Sequence, residues 1–318
     1  MIKQVLLALA LLLGGGWSWA QSVPTPAEGL DPNHTWVFVV GCLEWAHSDV
    51  YPSFPKTNRR DVRLALAYQR LGVPPEHVTL LLDREATRQG IHDAFMGILG
   101  KCRPGDTLIL YYAGHGYRDE ADRTFWMVPY DGYDVDTLWG LRGIERDVNR
   151  LFKGSRIFLS ADCCHSGAMR LAARRNLSNI GFFALSSSTA RLSSTGNWTF
   201  TDCLLDALSG DPRCDANGDG IISLAEMSAQ VEKDMQFAEN QKAGGTGSPL
   251  FPDTTPWVRT ARPLRAGEGA YVSVFADGSH WKARVVEQGS RGVLVHWMGL
   301  AQDYPDEWVS PSRVTPYR

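Results

Sequence analysis

The chain has 318 residues, of which 44% are hydrophobic, and a formal net charge of −3 at pH 7. This length and apolar content allow a buried core and about two domains, which excludes a disordered or fibrous protein. Lys and Arg form no long run along the chain, whereas nucleic-acid-binding proteins usually concentrate them on one surface. We therefore expect no nucleic-acid partner.

The first 20 residues have the pattern of a secretory signal peptide. Lys3 gives a basic start, residues 5–13 form a short apolar core, and the small residues Ser18 and Ala20 precede the expected cleavage point. The apolar stretch is shorter than the roughly 20 residues of a membrane anchor. We predict a secreted or periplasmic protein whose mature chain starts at Gln21 and does not contact the membrane after the signal is removed.

Strand and helix patterns alternate from residue 35 to about residue 208. This alternation predicts an α/β fold with a mostly parallel sheet and helices on both faces. Helices are expected at Asn58 to Leu71 and at Arg88 to Gly100, where apolar residues recur at helical spacing. The predicted strands are Thr35 to Gly41, His77 to Leu82, Thr107 to Ala113, Arg156 to Ala161 and Gly181 to Ser186.

A short hairpin is predicted from Thr124 to Pro129 and Tyr133 to Leu138, across the turn-forming pair Asp131-Gly132. It lies beside the carboxyl edge of the predicted sheet, where open α/β sheets bind their ligands. We expect this hairpin to form a wall of a substrate cleft.

The character of the sequence changes after residue 240. Residues 241–266 are rich in Gly, Pro and Thr and are predicted to be a linker. Short strand patterns separated by turns follow from residue 267 to residue 318. They predict a small all-β module, separate from the α/β domain of residues 21–240.

Two glycine-flanked segments follow predicted strands and carry the residue types of a cysteine hydrolase. His115 stands in Tyr-Tyr-Ala-Gly-His-Gly, and Cys164 stands in Asp-Cys-Cys-His-Ser-Gly. A base and a nucleophile at the ends of two neighbouring strands can meet in space, so His115 can activate the Cys164 thiol. Gly116 lets its N–H group approach a substrate carbonyl closely.

These segments resemble the His and Cys motifs of the caspase-like peptidases, in the metacaspase and bacterial caspase-homologue branch. The resemblance covers about residues 36–208 and implies a caspase-like sheet with Cys164 as the nucleophile. It also implies that the amides of Gly116 and Cys164 bind the oxyanion. Because catalysis of this type uses only side chains and main-chain amides, no cofactor is expected for it.

The resemblance further implies that Asp61 and Asp162 lie in the pocket for the residue before the scissile bond. Two carboxylates there would select a cation, so cleavage is expected after Arg or Lys. The chain departs from the family at Asn58 and Ala113, which are often Cys and Ser in metacaspases. The two arginines that precede Asp61 could also neutralise it and weaken this preference.

Other roles are open for the remaining cysteines and for the basic segment after Cys164. Cys163, Cys164 and His165 could bind a metal, but adjacent residues at a strand end point to opposite faces and make a poor tetrahedral set. Bridges between Cys203 and Cys214, or Cys42 and Cys102, are open pairings in an exported protein. Residues 169–176 are expected to be an exposed basic loop, either a solvated cluster or a self-cleavage site after Arg174 or Arg175.

Residues 215–226 fit every position of the EF-hand loop pattern, with Gly220 at the sharp turn. We predict a structural or regulatory Ca²⁺ site of weak, extracellular type. A turn stabilised by Asp and Asn without metal is the alternative. The predicted ligands are Asp215, Asn217, Asp219, the main-chain carbonyl of Ile221, Ser223 and Glu226.

The C-terminal segment resembles the Tudor, Agenet and chromo-barrel group of SH3-like barrels. In that group an aromatic cage binds methylated Lys or Arg, and Tyr271, Trp297 and Trp308 are candidate walls. The same aromatics could instead form the core of the barrel. We expect a protein or peptide ligand for this module.

The sequence as a whole predicts an exported cysteine endopeptidase with a dyad of Cys164 and His115, acting on a polypeptide substrate. The alternative is a non-catalytic scaffold in which the caspase-like fold and the C-terminal barrel bind a partner protein.

Overall fold

The computed structural model describes residues 24–119, 123–177, 179–191, 196–300 and 304–317. The predicted signal peptide of residues 1–20 and the mature start at Gln21 lie outside these ranges. No helix within the described ranges is both long enough and apolar enough to cross a bilayer.

Six helices are found in the described part of the chain. They are α1 (Arg60–Arg70), α2 (Arg88–Lys101), α3 (Leu141–Leu151), α4 (Ala168–Asn176), α5 (Thr199–Leu208) and α6 (Leu224–Glu239). The strands before residue 260 are β1 (Thr25–Pro26), β2 (Thr35–Gly41), β3 (Val78–Leu82), β4 (Thr107–Ala113), β5 (Gly116–Arg118), β6 (Phe125–Met127), β7 (Trp139–Gly140), β8 (Arg156–Asp162), β9 (Gly181–Ser186), β10 (Ile221–Ser223), β11 (Gly244–Gly247) and β12 (Pro256–Arg259).

The central sheet has the order β11-β9-β8-β4-β2-β3. Neighbouring strands within this sheet run parallel, except that β11 pairs antiparallel with β9 at one edge. All residues of β2 and β4 are buried, because helices cover both faces of the sheet. Helices α1, α5 and α6 pack on one face, and α2, α3 and α4 pack on the other. The prediction of an α/β fold with a mostly parallel sheet is confirmed.

The two predicted helices are present with small changes at their ends. The Thr87 hydroxyl accepts the N–H of Gly90 at 3.0 Å and caps α2. Helix α1 begins at Arg60 rather than at the predicted Asn58. Asn58 has a left-handed backbone, with φ of 61°, which a right-handed helix cannot include.

The predicted hairpin across Asp131-Gly132 is wrong in its second strand. Strand β6 pairs antiparallel with β5 and β7 instead, and Val135–Thr137 form a turn of 3₁₀ helix. The Asp134 carboxylate accepts the N–H of Thr137, and the Thr137 hydroxyl accepts the N–H of Asp134. Such local side-chain hydrogen bonds compete with strand pairing, which is why the turn forms here.

The structure also differs from the predicted linker at residues 241–266, where β11 completes the central sheet and β12 pairs with β1 and β10. Glycine here allows close packing, since a Cβ on Gly245 would lie 2.6 Å from the Ser228 hydroxyl oxygen. Trp257 in β12 is fully buried among aromatic rings, including that of Phe158. These residues therefore belong to the α/β body.

The C-terminal segment forms an antiparallel sheet with the order β16-β15-β14-β13-β17. Its strands are β13 (Tyr271–Ala276), β14 (Ser279–Gly289), β15 (Gly292–Trp297), β16 (Glu307–Val309) and β17 (Val314–Pro316). Valines from four of these strands, with Ala283, form a small separate core. The sheet packs on α5 and α6. The Tyr271 hydroxyl donates to Asp234 at 2.5 Å, and Arg284 forms an ion pair with Asp206 at 3.1 Å.

Candidate active site

The two motif segments leave adjacent strands at the same sheet edge. Ala113 at the end of β4 is paired with Asp162 at the end of β8. The chain then reaches His115 on one side and Cys164 on the other, and both residues line one cleft. The structure therefore brings the predicted base and the predicted nucleophile together, although 49 positions separate them in the sequence.

His115 is held by a main-chain carbonyl and by aromatic rings. Its Nε2 lies 2.8 Å from the carbonyl oxygen of Pro52. A carbonyl can only accept, so Nε2 carries the proton and Nδ1 keeps a lone pair. The ring centres of Trp45 and Phe54 lie 4.4 and 4.6 Å from the centre of the imidazole ring. Burial lowers the pKa of His115, which keeps the imidazole neutral and able to accept a proton.

Pro52 and the aromatic rings around His115 are functional neighbours that the sequence did not reveal. They stand on the segment after β2, more than 60 residues before His115. A main-chain carbonyl can come from any residue type, so no sequence pattern marks this partner. The cluster of aromatic residues between 45 and 54 is the one signal that could have indicated it.

Gly116 brings the two motif segments into contact. A Cβ at this position would lie 2.1 Å from the carbonyl oxygen of Cys164 and 3.0 Å from the Sγ of Cys163. Any larger residue would push the histidine and cysteine segments apart. Gly116 is therefore required for packing, independently of its predicted role in oxyanion binding.

The neighbouring cysteines have different environments. Cys163 is only 2% exposed, and burial raises the pKa of its thiol well above the usual range. Cys164 is partly exposed and lines the cleft. The Ser187 hydroxyl accepts the N–H of Cys163 at 3.1 Å, and the Ser188 hydroxyl donates to the carbonyl of Cys163 at 3.1 Å. These two serines, which the sequence analysis missed, position the nucleophile segment from the end of β9.

Asp61, a predicted substrate-binding residue, is not brought to the cleft. Its side chain is fully buried and lies 2.5 Å from the Arg59 guanidinium, which also binds Asp83 at 2.6 Å. The carboxylate packs so tightly on the end of β2 that a Cβ on Gly41 would overlap it. Asp61 therefore completes an internal ion-pair network and has no exposed surface for a substrate.

Asp162 does line the cleft. Its carboxylate accepts the Thr201 hydroxyl at 2.7 Å, and that hydroxyl also bonds with Tyr111 at 2.6 Å. Burial raises the pKa of Asp162 to about 7, and the nearby carboxylates of Asp202 and Glu239 add to this effect. Asp162 is thus almost completely buried at the border of the cleft, and an incoming cation would favour its ionised form.

Residues 75–171, which include His115 and Cys164, match the family described as Metacaspase, peptidase C14 domain. The curated relative Metacaspase-3 of Trypanosoma cruzi (strain CL Brener) is 28% identical over 125 residues, which are 34% of this chain and 35% of that relative. The chain thus spans about a third of the length of this relative. Both matches support a caspase-like peptidase.

Two solved structures are similar to this chain at low sequence identity. Protein GSU0716 from Geobacter sulfurreducens is 17% identical with a TM-score of 0.48, over 68% of this chain and 96% of that chain. The Drosophila initiator caspase Dronc is 10% identical with a TM-score of 0.44, over 73% of this chain and 85% of that chain.

The predicted calcium loop is closed by its own hydrogen bonds. The Asp215 carboxylate accepts the N–H groups of residues 218–220 at 2.8 to 3.2 Å. Glu226 accepts the N–H of Ser223 at the start of α6, and also that of Ala216. Within the described residues, no group of three or more His, Cys, Asp or Glu side chains is arranged to hold a metal. These hydrogen bonds can close the loop with or without a bound ion, so calcium binding stays a prediction.

The basic segment after Cys164 is helical, so its prediction as a loop is wrong. Residues 168–176 form α4, and Arg174 and Arg175 are exposed on its last turn. Met169 and Ala173, four positions apart, are buried against the sheet and explain the helix. Proteolysis after either arginine would require this turn to unwind.

The three candidate cage residues have different neighbours. Tyr271 stacks on Phe237 of α6 with ring centres 4.5 Å apart, and Trp308 is covered by the Arg291 guanidinium at 4.3 Å. Trp297 lines a cavity next to α5. Docking on α6 therefore occupies the Tyr271 ring, and a cage formed by the three aromatic residues stays a prediction.

All six cysteines lie in the described part of the chain, and none of them forms a disulfide. The two pairings that the sequence left open, Cys203 with Cys214 and Cys42 with Cys102, are both absent. The Cys203 thiol instead donates to the Asp234 carboxylate at 2.9 Å.

Proposed function

We propose that this chain is a caspase-type cysteine endopeptidase with a dyad of Cys164 and His115. The observation that carries this proposal is the pair's position in one cleft, with Nε2 of His115 directed to the Pro52 carbonyl. That contact leaves Nδ1 as the base. The match of residues 75–171 to the metacaspase peptidase domain gives independent support.

The reaction follows from these groups. Nδ1 of His115 accepts the thiol proton while the Cys164 sulfur bonds to the scissile carbonyl carbon, and the amides of Gly116 and Cys164 bind the oxyanion. The C–N bond then breaks, and the imidazolium gives its proton to the leaving amine. Water, with His115 again as base, cleaves the thioester and restores the thiol. The N-terminus of α4, which begins four residues after Cys164, favours negative charge in this region.

Cleavage after Arg or Lys is the second part of the proposal, and Asp162 supports it as an acidic residue that lines the cleft. Asp61 does not contribute, because its side chain is fully buried against Arg59 and has no surface for a substrate. The preference therefore depends on one acidic residue. Secretion or localisation in the periplasm is proposed from the signal sequence alone.

Peptides that differ only in Arg or Asp before the scissile bond test both parts. We expect cleavage after Arg and not after Asp, and Asp162→Asn should lower kcat/KM for the Arg peptide by about 10- to 100-fold, because a charged hydrogen bond is lost. With a pKa of about 7, Asp162 is protonated below neutral pH, so the preference for Arg should strengthen as the pH rises through 7. Asp61→Asn controls for the loss of a nearby negative charge, and equal effects of the two variants on KM would contradict the role of Asp162.

The C-terminal sheet is proposed to be an SH3-like module that binds a protein or peptide. Its last strand β17, reached through a turn of 3₁₀ helix at Pro311–Arg313, pairs with its first strand β13. This return of the chain to the first strand supports the barrel-like interpretation.

Calcium binding at residues 215–226 stays a prediction. A carboxylate oxygen has two lone pairs and can bind a cation while it accepts an N–H group, so the hydrogen bonds of Asp215 and Glu226 are compatible with a bound ion. We expect weak affinity of the extracellular type, with Kd about 10⁻⁴ to 10⁻³ M. Calorimetry of the full chain should show heat that Asp219→Ala removes. A wild-type protein that gives no heat at millimolar Ca²⁺ would rule the site out.

A further inference from the structure

A second cavity lies directly beside the catalytic cleft, between α5 and the C-terminal sheet. Thr57 and Trp198 line both spaces, so the two are immediate neighbours. One wall comes from the α/β body and the other from the end of β15 and the residues after it, including Trp297 and Tyr304. The C-terminal sheet thus reaches the surroundings of the active site.

One part of the cavity wall consists of aromatic and aliphatic side chains. Trp198, Trp297 and Tyr304 supply aromatic rings, and Met298 and Leu300 supply aliphatic surface. Tyr304 is 52% exposed, so its ring is available to a ligand. The π faces of such rings attract cations.

The charged groups of the cavity are arranged with their carboxylates outward. The side chains of Asp202 and Asp206 are 32% and 28% exposed, whereas those of Arg60 and Arg284, their ion-pair partners, are 7% and 10% exposed. Arg60 and Arg284 also line the cavity, but their side chains are the less exposed partners, so the carboxylates offer a ligand the larger charged surface. His296, another lining residue, lies 2.9 Å from the carboxylate of Asp306.

We propose that this cavity binds a Lys or Arg side chain of the polypeptide substrate, at a position away from the scissile bond. The C-terminal sheet is then part of the substrate-binding surface, and Tyr304 and Trp297 are specificity-determining residues. Aromatic faces combined with exposed carboxylates select a cationic side chain over an apolar or acidic one. This inference rests on the proposed peptidase function.

The test uses the full chain and peptides with a single Arg before the scissile bond. In separate peptides, Lys, Leu or Glu is placed at each of the other positions on both sides of the scissile bond. Mass spectrometry confirms which bond is cut. We expect a position at which Lys raises kcat/KM about tenfold over Leu. Tyr304→Lys should abolish this gain by repulsion. Trp281→Lys is the matched control, since Trp281 is an exposed aromatic of the same sheet that does not line the cavity.

A short substrate with only the Arg and a fluorescent leaving group reports on the catalytic residues alone. All three proteins should cleave it equally. If the wild type cannot cleave it, the proposed function fails. If it is cleaved but no position prefers Lys, or Tyr304→Lys keeps the preference, the inference about the cavity is overturned. Tyr304→Ala, which should lose part of the gain, and thermal melting of each variant detect a folding defect.

Discussion

Replacing Cys164 with Ala is expected to lower kcat/KM for an Arg peptide by about 10⁴-fold or more, because the bond-forming sulfur is lost. Cys163→Ala should retain most activity. The Cys163 thiol is buried with a strongly raised pKa, so it is neither ionised nor accessible. Cys163→Ala is a closely matched control for Cys164→Ala, because the two residues are adjacent and each variant loses one sulfur atom.

Labelling with a thiol-reactive peptide that carries Arg next to the reactive group gives a second measurement. Mass spectrometry should detect one adduct on the wild type and on Cys163→Ala, and none on Cys164→Ala. Equal labelling of wild type and Cys164→Ala would favour the alternative of a non-catalytic scaffold. Circular dichroism and thermal melting of each variant verify that the fold is retained.

Replacing His115 with Gln is expected to lower kcat/KM by about 10³-fold, within the usual contribution of a general base. The Gln amide can still donate to the Pro52 carbonyl, so the variant removes the base and preserves the contact. His47→Gln is the control, since His47 is an exposed histidine whose ring contacts that of Tyr133 at a tilted angle and does not line the cleft.

The pH dependence of the wild type should identify His115 as the base. Burial lowers the pKa of His115, and the imidazole can accept the thiol proton only above that pKa. Asp162 has a pKa of about 7 and would add its own titration for an Arg peptide, so the limb is compared in the wild type and in Asp162→Asn. The acidic limb of kcat/KM that remains in Asp162→Asn should have its midpoint below the ordinary histidine value of about 6.5. The limb should disappear in His115→Gln. A midpoint above 6.5, or an unchanged limb in the variant, would contradict this assignment.

The sequence was sufficient for the five parallel strands of the central sheet and for the two motif segments around His115 and Cys164. Strands such as Thr107–Ala113 are continuous apolar runs, because helices cover both faces of a parallel sheet, and such runs are recognisable without coordinates. The composition was misleading in two places. A strand was predicted where Asp134 forms local hydrogen bonds that favour a turn, and a linker was predicted where Gly245 permits close packing in a strand. Both effects depend on contacts that composition does not record.

The sequence by itself determined the parallel strands of the central sheet and the placement of His115 and Cys164 after two of them. Both follow from the pattern of apolar residues and the types of reactive side chain. Tertiary structure alone decided which charges are available. It neutralised Asp61 with Arg59, left Asp162 in the cleft, and gave His115 its partner in the Pro52 carbonyl. Charge and hydrogen bonding act through space over a few ångströms, and only the folded chain fixes those distances.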